Sequence, residues 1–70
     1  MFIEVTLTKG KKSHLVNTMQ ITDIQQRVGS TMILTTNAEY PHISVMETYS
    51  HIRLLLKDAN LIVNTGGKYE

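Results

Sequence analysis

The sequence predicts an α+β fold: a small, strongly bent antiparallel β-sheet of about five strands, SH3-like in outline, with one C-terminal helix. From Phe2 to Val45 the apolar residues recur at every second position, the period of a strand covered on one face. From Tyr49 to Leu56 the spacing becomes helical. Gly10, Asn17, Gly29 and Asn37 cut the alternating stretch into short pieces, so the strands are joined by tight turns.

The first strand is carried by Phe2 to Thr8, where Ile3, Val5 and Leu7 share one face and Glu4, Thr6 and Thr8 the other. Lys9-Gly10-Lys11 supplies a turn, with Gly10 free to take a positive φ, and Lys12 to Val16 returns as the second strand of a hairpin. Within it, Leu15 is expected to face inward and His14 to face solvent. Asn17-Thr18 makes the next corner, after which Met19, Ile21 and Ile24 carry the apolar signal through Arg27. Because Ile21 and Ile24 are three apart rather than two, a β-bulge or a brief helical turn is expected there.

Gly29-Ser30 turns the chain into Thr31 to Thr36, a run apolar enough at its centre to be a central strand covered on both faces. Pro41 lacks a ladder donor and suits the first position of a strand through Val45, with His42 outward and Ile43 inward. Two helix starts compete: a capping box from Ser44 to Glu47, or Thr48 as the N-cap, which is preferred. Tyr49, Ile52, Leu55 and Leu56 form the stripe for the core, and Arg53 and Lys57 suit the C-terminal end of the helix dipole. Leu61-Ile62-Val63 is either a last strand or a docking segment.

At 70 residues the chain makes one domain, assigned to residues 1–64, with 65–70 a flexible tail. A domain of this size buries only about 60% of the surface its unfolded chain exposes. Cysteine is absent, which removes disulfides and thiolate metal sites and leaves association with itself or a partner as the natural staple. The absence of a long apolar run and the interruption by Glu4 argue against a membrane span or a signal peptide, and a cytoplasmic location is expected.

No enzyme is expected. His14, His42 and His51 lack the one-turn spacing of a helical metal pair, so no metal and no cofactor are assigned. The six carboxylates are scattered, and no serine stands in a nucleophile elbow. Gly66-Gly67-Lys68 lacks the strand and helix that a phosphate loop requires.

What stands out is an excess of apolar side chains over what one short helix can cover. Leu54 joins Leu55 and Leu56 around the helix, Phe2 lies on the polar face of strand one, and Leu61, Ile62 and Val63 follow as an extra apolar segment. Surplus of this kind marks association surfaces, and these five residues, Phe2, Leu54, Leu61, Ile62 and Val63, are the expected protein interface of a homodimer. The alternative is a small nucleic-acid-binding barrel in which Lys9, Lys11, Lys12 and Arg27 meet phosphates and Phe2 and Tyr40 stack on bases. A net charge of +1 is slight for that task.

Several stretches together resemble the FlbD-type family of short flagellar-associated proteins, called SwrD in some bacteria, and similar short phage-encoded proteins. They are Ile3-Glu4-Val5-Thr6 with Gly10-Lys11, Leu15-Val16-Asn17 with Ile21 and Ile24, Thr31, Ile33 and Thr35-Thr36-Asn37, then Val45, Glu47-Thr48, Ile52 and Leu55. The resemblance spans residues 2 to 57 and implies a small sheet-plus-helix accessory protein of bacterial or phage origin. Pro41-His42 replaces the usual charged start of the last strand, and the helix carries fewer charges than is usual in the family.

Overall fold

A computed structural model describes residues 1–62 of the chain. Strand β1 (Phe2–Thr6) pairs antiparallel with β2 (Ser13–Asn17), and Ile3 stands opposite Val16. That register turns Ile3, Val5 and Val16 into the core. The hairpin is closed by Gly10 at φ 78° and Lys11 at φ 51°, with the Leu7 amide donating to the Lys12 carbonyl at 2.9 Å.

The corner after β2 is a 3₁₀ turn, η1 (Thr18–Gln20), capped by Asn17, whose Oδ1 accepts from the Met19 amide at 3.1 Å. Strand β3 (Ile21–Arg27) follows, then β4 (Ser30–Thr35) and β5 (His42–Val45), in the antiparallel order β3-β4-β5. The expected irregularity is a register shift between Ile21 and Asp23, and β4 is the central strand of its sheet. Thr31 and Ile33 on β4 are fully buried, while Met32 and Leu34 are half-covered on the other face.

The two sheets are joined where Leu7 bridges Val45. On either side, the Met46 amide donates to the Thr6 carbonyl at 2.8 Å and the Thr8 amide to the Ser44 carbonyl at 3.0 Å. The result is a bent two-part sheet that, among the described residues, does not close into a barrel.

Helix α1 (Tyr49–Asp58) lays Ile52 and Leu56 into the bend, where they complete a core with Ile3, Val5, Val16, Ile33, Ile43 and Val45. Thr48 is the N-cap, its Oγ1 accepting from the His51 amide at 3.1 Å. Glu47 is therefore free for a different contact. Its carboxylate accepts from the Thr6 amide and hydroxyl, and its carbonyl accepts from the Thr31 hydroxyl at 2.7 Å. Thr31, the one buried polar side chain among the described residues, is thereby satisfied.

The helix ends by a Schellman motif. Asn60 takes φ 59°, its amide donates to the Lys57 carbonyl at 2.9 Å, and the Leu61 amide donates to the Leu56 carbonyl at 2.8 Å. Leu61 and Ile62 form no strand.

Two expectations about facing need correction. Helical spacing predicts Tyr49 in the core, yet it remains 37% exposed, because it sits in the first turn beside the cap, where Ile52 and Leu56 already fill the bend. Leu15 was expected inside and is 61% exposed, while His14 is half-buried. The pairing of Val16 with Ile3 fixes the phase of β2, and a one-residue change of phase exchanges every face.

Candidate functional site

An open cleft of about 110 Å³ lies between β2 and the β4–β5 connection. Its size admits several waters or one apolar side chain. Phe2 and Leu15 stand at diagonal positions on the outer face of the β1–β2 hairpin, because Phe2 pairs with Asn17 and Glu4 with Leu15. Both line the cleft, and both are more than half exposed.

Across from them stands Tyr40, also exposed. Its ring meets the His14 imidazole edge-to-face, with centroids 5.2 Å apart and planes at 62°. The connection that carries Tyr40 is pinned by side chains. Thr35 Oγ1 donates to the Tyr40 carbonyl at 2.7 Å and accepts from the Asn37 amide at 3.1 Å, and Asn37 Oδ1 accepts from the Glu39 amide at 2.9 Å. A tyrosine on a braced turn loses little freedom when a partner covers it.

Gln20 and Asn37 add amide groups to the same cleft. Gln20 is positioned because its carbonyl accepts from the Thr36 amide at 2.9 Å, which ties η1 to the end of β4. An apolar lip with polar groups behind it suits recognition of a peptide-like surface.

Of the five residues expected at a protein interface, Phe2 lies on this cleft. Leu54 is exposed on the helix, about 200° around the axis from Ile52 and so on the side away from the core. Leu61 is exposed at the helix stop. Ile62 is partly buried and packs against the core, so it offers less surface than the sequence implied. Val63 lies outside the described residues, as does the 65–70 segment.

The cations are not gathered. Lys9, Lys11 and Lys12 are exposed around the β1–β2 turn, which follows directly on the Leu7–Val45 bridge and the Thr8–Ser44 hydrogen bond. Arg27 pairs with Ser30 at the β3–β4 turn, on the other side of the Thr31–Val45 row, and its Nη2 donates to Gln25 Oε1 at 2.7 Å. Phe2 and Tyr40, by contrast, do share one cleft.

Leu15, His14, Gln20 and Asn37 carried no signal of a site in the sequence. His14-Leu15-Val16 has no strict alternation, and only the register with β1 shows which of the two apolar residues is left outside. Among the described residues no group of three histidine, aspartate or glutamate side chains is arranged to hold a metal ion, and no helix is long and apolar enough to cross a membrane. No protein-family model, no curated protein and no solved structure matches the chain.

Proposed function

We propose that the chain is a non-enzymatic protein-interaction module, a cytoplasmic accessory protein that acts by binding protein through exposed apolar side chains. The observation that carries this is the convergence of Phe2, Leu15 and Tyr40 on one cleft instead of their being scattered over the surface. Clustered apolar side chains rimmed by amides are the composition of an association surface. Leu54 and Leu61 extend the exposed apolar surface on the helix side. The absence of cysteine suits a reducing compartment.

A second function, single-strand nucleic-acid binding, is favoured by Phe2 and Tyr40 lining the same cleft. It requires affinity that falls steeply with salt, because counterion release drives such binding. The small net charge and the divergence of Arg27 from the lysine turn weigh against it.

The test is cross-linking with mass spectrometry on the native chain and on Phe2→Asp and Leu54→Asp variants. Loss of cross-links to protein in at least one variant, with far-ultraviolet circular dichroism unchanged, is expected. If both folded variants keep every protein contact of the parent, the module does not work through these surfaces.

A further inference from the structure

We propose that β2 is a dimerisation edge, on which β2 of a second copy of this chain pairs antiparallel about Leu15. This rests on the interaction-module function above and names its partner. In an antiparallel pair, bonded and non-bonded residue pairs alternate. The Thr18 amide donates to Met1 and the Leu7 amide to Lys12, so the bonded pairs between them are Ile3–Val16 and Val5–His14. Ser13 and Leu15 therefore turn their N–H and C=O groups to the far edge of β2, and Asn17 its N–H, while the Asn17 carbonyl serves as the first acceptor of η1. No strand among the described residues pairs with that edge.

The open residues are self-complementary. They are spaced evenly about Leu15, so a two-fold axis there sets Leu15 against Leu15 of the second copy, and Ser13 of each copy against Asn17 of the other. The two Leu15 residues then exchange both N–H···O=C bonds, and each Asn17 amide meets a Ser13 carbonyl, as in strand addition at a sheet edge. The exposed Leu15 side chains meet on the outer face, with Phe2 diagonal to each.

Charge permits the pairing. Strand β2, Ser-His-Leu-Val-Asn, has no formal charge with histidine neutral. Glu4 lies opposite Leu15 on β1, so the two Glu4 residues of the dimer lie three strand spacings apart, about 14 Å. That exceeds the screening length of about 8 Å at physiological ionic strength.

The other outer edge, β3, has the devices that discourage pairing: a register shift between Ile21 and Asp23, and charges at Asp23 and Arg27. Strand β2 has no bulge, no proline and no charged residue. A five-residue edge buries less area than a standard interface, so the dimer is weak and forms as concentration rises from micromolar to millimolar.

Sedimentation velocity over that range is expected to show the 7.9 kDa monomer giving way to a species of twice its mass. Leu15→Pro removes an N–H that β1 does not use, and proline restricts the preceding His14 to the extended backbone it already has. This variant should stay monomeric, whereas Val28→Asp, at a fully exposed position of the β3–β4 turn, should dimerise like the parent. If Leu54→Asp abolishes the dimer and Leu15→Pro preserves it, the β2 edge is refuted while the interaction module stands on its helix face. A parent that remains monomeric at millimolar concentration also refutes the edge. Should Leu15→Pro fail to fold, hydrogen exchange on the parent decides: the Leu15 amide should exchange about tenfold more slowly at high concentration than at low. Equal rates at both concentrations overturn the proposal.

Discussion

Glu47 grips Thr6 with both carboxylate oxygens, Oε1 accepting from the Thr6 amide at 2.8 Å and Oε2 from its hydroxyl at 2.9 Å. The two residues are 41 positions apart and meet where the first hairpin joins the second sheet. This contact and the neighbouring Leu7–Val45 bridge link the two sheets, so the bent fold depends on a polar clasp beside its apolar core.

Glu47→Gln keeps one acceptor and replaces the other with a donor, losing a charge-assisted hydrogen bond. It should cost about 1.5 kcal/mol, and Glu47→Ala about 2 kcal/mol or more. For a domain this small, a loss of 1 kcal/mol lowers Tm by about 4–8 °C. Urea and thermal melts that leave Glu47→Gln equal to the parent would show that the clasp is idle.

The same carboxylate makes stability depend on pH. Burial pushes the Glu47 pKa upward, but this is outweighed by the Thr6 amide and hydroxyl, the backbone of Glu47 itself and the charge of His51, so the group is held below its usual value. A depressed folded pKa gives stability that is complete above the unfolded value of about 4.3 and is lost as pH falls through the folded value. The stability difference between parent and Glu47→Gln should therefore shrink as urea midpoints are followed from neutral pH to below 4. A difference that is constant across that range would contradict the assignment.

Thr48 caps α1, and Thr48→Ala should cost about 1 kcal/mol and reduce helical ellipticity at intermediate urea. Thr48→Ser or Thr48→Asp, which preserve the acceptor, should recover most of the loss. Equal stability of Thr48→Ala and Thr48→Ser would rule out the hydroxyl as the cause.

At the other end of the helix, Asn60 has φ 59°, a conformation that glycine adopts without strain. Asn60→Gly should be neutral or stabilising by a few tenths of a kcal/mol, while Asn60→Ala should destabilise by about 1 kcal/mol. Equal stability of the two variants in urea titration would remove the left-handed stop as an explanation.

Ile52 is wholly buried and Leu54 is 54% exposed, only two residues along the same helix. Ile52→Ala should cost about 2–5 kcal/mol, enough to unfold a small domain, whereas Leu54→Ala should remain within about 0.5 kcal/mol. The pair is compared by circular dichroism and urea midpoint. A large loss in Leu54→Ala as well would place that side chain in a contact of the folded state.

The register of the first hairpin decides which residues form the candidate site. Alternation at Ile3, Val5 and Leu7 was legible, as were the turn glycines, the irregularity between Ile21 and Ile24, the central β4 and the Thr48 cap. Each is set by local backbone geometry and by the spacing of apolar residues along one strand or one helix turn. The fates of Leu15 and Tyr49 were not legible, since either face of β2 fits the pattern His14-Leu15-Val16 and a first-turn tyrosine fits a core stripe.

What the sequence alone determined is therefore the inventory: five short strands, one capped helix, and more apolar side chains than the helix can cover. Tertiary structure decided how that excess was divided. Pairing Val16 with Ile3 left Leu15 outside beside Phe2, the pinned β4–β5 turn brought Tyr40 to them, and packing drew Ile62 onto the core. Those outcomes depend on contacts between residues distant along the chain, which no local period encodes.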